Sequence, residues 1–236
     1  MRGNKRLVWL AVAVVLAMLM VPAHPAWAQA QPQEDPAEKG RLAIERNDPD
    51  QVDPNLIKGE DWTFDFQFEH PQPLIVQTPG GDHEVYWYLV YTVTNRSDEA
   101  KNFVPSFTLY TDKATIRRAG VFPRVYEAIK ANRKIRFLEN AANLHTRVLP
   151  GEGNARTGVA IFAPLDRDTD AFTIFVEGIS GRYIERPRPG AGPDAPADEK
   201  VVRLRRTLAI AYNLPGDKWW LNLDQPVFVS KTWTWR

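Results

Sequence analysis

Three aspartates fall at alternate positions, Asp166, Asp168 and Asp170, and Glu177 lies eleven residues after the first. That spacing imitates a calcium loop, whose oxygen ligands recur at positions 1, 3, 5 and 12. Position 6 is Ala171 rather than the glycine that the sharp turn needs, and residues 172–176 read as strand. The expectation is a β-turn whose aspartates bond the backbone, with a weak calcium site at that turn as the open alternative. Other chemistry is sparse. His70, His83 and His145 stand alone, with no partner at i+2 or i+4, so a zinc site would have to be assembled entirely by the fold. Ser180 sits in Gly-Ile-Ser-Gly, which is not the G-x-S-x-G elbow of serine hydrolases. No glycine loop of the phosphate-binding kind occurs, and no pair of carboxylates is singled out for glycoside hydrolysis. Asn95-Arg96-Ser97 matches a glycosylation acceptor but reads as a turn. The reading is therefore non-enzymatic, with no cofactor.

Two clusters suit binding instead. Between Lys113 and Arg136 lie eight basic residues, Lys113, Arg117, Arg118, Arg124, Lys130, Arg133, Lys134 and Arg136, against the single acid Glu127. A local field of that sign attracts anionic partners, whether lipid headgroups, acidic glycans or an acidic protein; the plain alternative is a solvated helix face. The second cluster is aromatic: Trp219, Trp220, Trp233 and Trp235 crowd the C-terminal hairpin, and the last two share one strand face. Exposed, they would stack on sugar rings or form a protein hot spot. Buried, they would seal the edge of the body.

The chain's bulk properties narrow the setting. Of 236 residues, 30 are Lys or Arg and 29 Asp or Glu, and there is no cysteine. Disulfides, thiolate metal sites, a cysteine nucleophile and a lipoprotein anchor are excluded. A net charge of +1 argues against a general nucleic-acid binder. The N-terminus has the three parts of a secretory signal: basic Arg2, Lys5 and Arg6, an apolar run over residues 7–21, and small residues at Ala26, Ala28 and Ala30. Cleavage after residue 28 or 30 is expected, giving a periplasmic or secreted product with no transmembrane segment. It would retain 27 of the 30 basic residues against 29 acidic ones.

Residues 29–60 read as a disordered leader, because acid-rich, Pro-containing sequence with few aromatics cannot bury enough surface to offset chain entropy. The body then spans 61–236. Trp62, Phe64, Phe66 and Phe68 alternate with polar residues, the period of a strand with one buried face. Residues 73–78 form a second short strand, closed by Pro79-Gly80-Gly81-Asp82. Residues 83–95 carry bulk on both faces, as in a central strand. Pro105, within the strand at 103–110, belongs at a bulge or edge. Further strands are expected at 144–149, 157–164, 172–178, 201–212 and 226–235, with a flexible loop at 186–199. One helix interrupts them: Phe122, Val125, Tyr126 and Ile129 keep i, i+3, i+4, i+7 spacing behind Pro123.

The stretch VYWYLVYTVTNRSDEAKNF, followed by LPGEGNARTGVAIF and DAFTIFVEGI, resembles the exported bacterial immunoglobulin-like sandwich domains of the telokin-like group, over residues 61–180. The resemblance implies a scaffold and brings no catalytic residue with it. The expected fold is an all-β, immunoglobulin-like antiparallel sandwich with one amphipathic helix inserted and a C-terminal hairpin. The expected function is a cell-envelope binding or structural module that meets another envelope protein or an anionic surface through Arg117, Arg118, Arg124, Lys130, Arg133 and Lys134. The rival is a carbohydrate-binding module using the Trp hairpin.

Overall fold

In the computed structural model of the chain, the described residues are 52–192, 194, 196, 198–215 and 225–236. The signal segment, most of the leader, Trp219 and Trp220 lie outside them. Strand β4 (His83–Thr94) is the centre of one sheet, and its two faces explain its double bulk. Trp87, Leu89, Tyr91 and Val93 point into the core between the sheets, while Tyr88 and Val90 pack beneath a helix on the other side. β4 is flanked by β2 (Asp65–Phe68) and β3 (Gln72–Gln77) on one side and by β10 (Arg156–Phe162) on the other; β8 (Leu138–Asn140) closes that sheet as a parallel neighbour of β10.

The second sheet runs β1 (Ile57–Thr63), β12 (Ser180–Pro187), β13 (Val201–Asn213), β11 (Ala171–Glu177), β6 (Ser106–Thr111), β7 (Ile116–Arg118), with β14 (Val227–Trp235) added on β13. A small pair, β5 (Lys101–Phe103) and β9 (Thr146–Val148), completes the strands among the described residues. Phe107, Leu109, Phe172, Ile174, Val176, Leu208, Ile210 and Tyr212 face the first sheet's apolar row. The architecture is an all-β sandwich of packed antiparallel sheets. Each fully buried large side chain contributes about 1.5–3 kcal/mol relative to exposure. In place of disulfides, the core is filled by contacting rings, with Phe66–Tyr91 centroids at 5.4 Å and Tyr91–Phe107 at 4.8 Å.

The helix α1 (Pro123–Arg133) lies on the outer face of the first sheet, burying Val125 and Ile129 against Tyr88, Val90, Val159 and Ile161. It ends where Lys134 takes a left-handed conformation (φ 53°) and donates its N–H to the Lys130 carbonyl, a C-terminal cap of the kind usually filled by glycine.

Several boundaries differ from the sequence pattern, each for a tertiary reason. Ordered chain starts before Asp61: β1 begins at Ile57, because Lys58 and Gly59 pair with Tyr183 and Arg182 of β12 and Lys58 bonds Glu185 at 2.5 Å. The alternation through Phe68 is not one strand. It breaks at Phe64, which passes from the second sheet (β1) to the first (β2) and stays buried throughout. Pro105 likewise separates β5 from β6, at the point where the chain leaves the small pair for the large sheet. The loop expected from 186 starts later, since β12 pairs with β13 as far as Pro187–Val201. Strands β7, β8 and β12 are too short or too polar to stand out by period.

Candidate binding site

The basic insert does not form one surface. Lys113 lies in the β6–β7 turn, 3.0 Å from Asp112 and 3.4 Å from Asp170. Arg117, on the inward side of β7, donates through Nε to the Pro164 carbonyl at 3.1 Å and lies 3.7 Å from Asp166. Arg118 is its outward neighbour, opposite Thr108 of β6. The rest sit on or after α1, against the other sheet. Arg133 bridges to Glu69 and reaches Gln72 at 3.4 Å, fastening the helix to the chain around β3. Lys130 is 3.8 Å from Glu127 and 5.3 Å from the centre of the Tyr126 ring. Half of the eight cations thus have a carboxylate within 4 Å, and their field is largely cancelled at short range. Arg118, Arg124 and Lys134 make no ion pair with any described residue.

The turn leaving the helix was not legible in the basic pattern. Ile135 packs on the cluster under α1 and Leu138 is buried at the start of β8, so the turn between them holds Phe137 outward. Phe137 is 72% exposed, the most exposed large apolar side chain described, and the Arg136 guanidinium lies 5.0 Å from its ring centre. Lys134, Arg136 and Phe137 are thus all exposed within four residues, with one cation, Arg136, against the aromatic ring. The sequence signal was an aromatic directly after a basic run, which helical periodicity hides.

The aromatic platform fares differently. Trp235 is only 5% exposed, and Trp233 is half-buried against the core with Arg206 4.4 Å from its ring centre. Neither offers a free face to a sugar. The cause is the pairing of β14 with β13, which sets Trp233 opposite Leu208 and Trp235 opposite Arg206 on the inward side.

The aspartate loop is a turn, closed by Thr169 N–H to the Asp166 carbonyl at 3.0 Å, but its side chains work otherwise than expected. Asp166 accepts from Thr115 Oγ1 at 2.6 Å and Asp170 meets Lys113, while Asp112 accepts from the backbone N–H groups of Asp170 and Ala171. Among the described residues no group of three or more metal-ligating side chains converges. His70 contacts the Tyr212 hydroxyl at 3.2 Å, bridging the sheets at an edge. Ser180 donates to the Trp62 carbonyl at 3.2 Å, a tie between β12 and β1. The buried Asn95 amide donates to the Glu99 and Val148 carbonyls and accepts from Ser97, so that tripeptide is a turn.

Burial pushes the hydroxyls of Tyr91 and Tyr212 far above the usual phenol range. Both belong to the core rather than to a site. Among the described residues no helix is long and apolar enough to cross a membrane. Compared with family models, curated proteins and solved structures, the chain matches none.

Proposed function

We propose that this chain is an exported, non-catalytic binding module of the cell envelope, immunoglobulin-like in its sandwich, and that it meets an anionic lipid surface with the turn after α1. The carrying observation is the outward Phe137, with the Arg136 guanidinium against its ring and the exposed Lys134 three residues before it. An aromatic side chain held clear of the body can enter the headgroup region, while each neighbouring cation gains about 1 kcal/mol at an anionic surface. The turn is preorganised, because Ile135 and Leu138 anchor both its ends, so little ordering entropy opposes contact. Export is supported by the basic start, apolar run and small-residue pattern of residues 1–30.

The test is co-sedimentation of the mature chain with vesicles containing phosphatidylglycerol, beside vesicles of phosphatidylcholine alone. Binding to the anionic vesicles at low salt is expected, falling as salt rises. Phe137→Ser and the pair Lys134→Ser, Arg136→Ser should each weaken it several-fold. No sedimentation at low salt, or equal sedimentation of all variants, overturns the reading.

A further inference from the structure

At the other end of α1 is a concavity of about 330 Å³, lined by Val121, Pro123 and Tyr126 on the helix side, by Asn140 at the end of β8 and by Asn143 on the turn after it, with Glu127 and Glu139 bringing carboxylates to it. Its volume is at the lower end of the range for small-ligand sites, about 300–1,000 Å³. That suits a molecule of one or two rings and excludes a long chain lying inside it.

Asn140 is the informative residue. It is only 7% exposed, and its Oδ1 accepts the N–H of Ala142 at 3.0 Å. That bond sets which way the amide faces, so Nδ2 is the free end, and it has no partner among the described residues. A buried donor without an acceptor is costly, about 1–3 kcal/mol, and native proteins seldom keep one without a use. Beside it, the first turn of α1 starts with Pro123 and has neither a side-chain cap nor an acid. Helix starts of this kind leave backbone donors open.

The polar groups around the cavity select the ligand. Glu127 and Glu139 present acceptor oxygens, but each is paired with a cation, Lys130 at 3.8 Å and Arg156 at 3.6 Å. The rim therefore adds little net charge and attracts no ion. The helix start and the Asn140 amide present donors, which oppose a cation. A neutral ligand whose groups both donate and accept satisfies the two sets at once, and hydroxyl groups do so. Val121, Pro123 and the Tyr126 ring supply apolar surface for the C–H face of such a ligand. The Tyr126 hydroxyl is already bonded to the Leu138 carbonyl at 2.5 Å, which holds the ring in place.

We infer that this cavity binds a neutral mono- or disaccharide, with Asn140 Nδ2 donating to a sugar oxygen and Glu127 and Glu139 accepting from sugar hydroxyls. The site uses no tryptophan and goes beyond the surface contact proposed above.

The experiment is titration of the ¹⁵N-labelled mature chain with glucose, galactose, N-acetylglucosamine, cellobiose and chitobiose, watched by amide NMR and, in parallel, by tryptophan fluorescence. At least one sugar should shift the Asn140 side-chain amide and the Arg124 and Val125 backbone amides saturably, with little fluorescence change. Asn140→Asp keeps an acceptor for Ala142 N–H but removes the donor, and should weaken binding roughly tenfold or more. Glu127→Ala, at the exposed rim, should weaken it several-fold and decides the matter if Asn140→Asp does not fold. Vesicle binding of both variants should match the parent chain, so failure of one proposal is distinguishable from failure of the other. The inference is overturned if no sugar shifts these amides at millimolar concentration, if shifts fall elsewhere, or if N-acetylglycinamide alone shifts them. It is also overturned if Glu127→Ala binds sugar as the parent does.

Discussion

Tyr91 folds over Gly158 across the β4–β10 pairing: a methyl group on Gly158 would lie 2.4 Å from the Tyr91 hydroxyl oxygen and 2.5 Å from its ring. The glycine is there because the ring occupies the space of its side chain. Gly158→Ala should therefore destabilise the domain by about 1–3 kcal/mol, as overpacking does. The Tyr91 hydroxyl is buried and has no partner among the described residues, so Tyr91→Phe should cost nothing or raise stability slightly. Urea denaturation of both variants checks this; a Gly158→Ala protein as stable as the parent would refute the packing account.

The arm of β1, β12 and the start of β13 should be acid-sensitive. Lys58, at 2.5 Å, and Arg203, at 3.1 Å, hold the Glu185 carboxyl below the ordinary glutamate value of 4.5. Lys101 does the same for Glu60. A carboxyl depressed in the folded state contributes stability above its unfolded value, about pH 4.5, and loses it as pH falls through the lower folded value. Glu185→Gln should lower the melting temperature slightly at pH 7 and by less at pH 3. An equal difference at both pH values would contradict the linkage. Both acids are solvated, so the effect is small.

Helix docking and surface binding should separate. Ile129 is fully buried under α1, and Ile129→Ala should cost about 2–5 kcal/mol by transfer and cavity terms together. Arg124 is exposed and without an ion pair among the described residues, and Arg124→Ala should stay within about 0.5 kcal/mol of the parent. Chemical denaturation, with helical circular dichroism as the probe, reads both.

Trp235 should behave as core. Trp235→Ala is expected to destabilise by about 3–5 kcal/mol. Iodide should quench the Trp235 contribution to fluorescence weakly, a direct comparison of parent and Trp235→Phe. Strong quenching would mean that the ring is exposed.

Much of the architecture was readable one residue at a time. The bulk on both faces of residues 83–95 foretold a central strand, and the i, i+3, i+4, i+7 set at Phe122–Ile129 foretold the helix laid on the sheet. Both are local periodicities that burial imposes directly on the chain. Sheet membership was not readable, because the alternation through Trp62, Phe64, Phe66 and Phe68 keeps the same period while the chain changes sheets at Phe64. The candidate sites show the same division. The basic residues could be counted in the sequence, but which were cancelled could not, since Asp112, Asp166, Asp170 and Glu69 come to Lys113, Arg117 and Arg133 only through the fold.

By itself, then, the sequence determined a cysteine-free, tryptophan-rich β body with one amphipathic helix and an N-terminal pattern of the export type. Only the tertiary structure decided that Trp235 is core, that Phe137 is surface and that Asn140 keeps a donor without a partner among the described residues. Those properties depend on neighbours distant in sequence. Alternation says that a side chain has a face; packing alone says what lies against it.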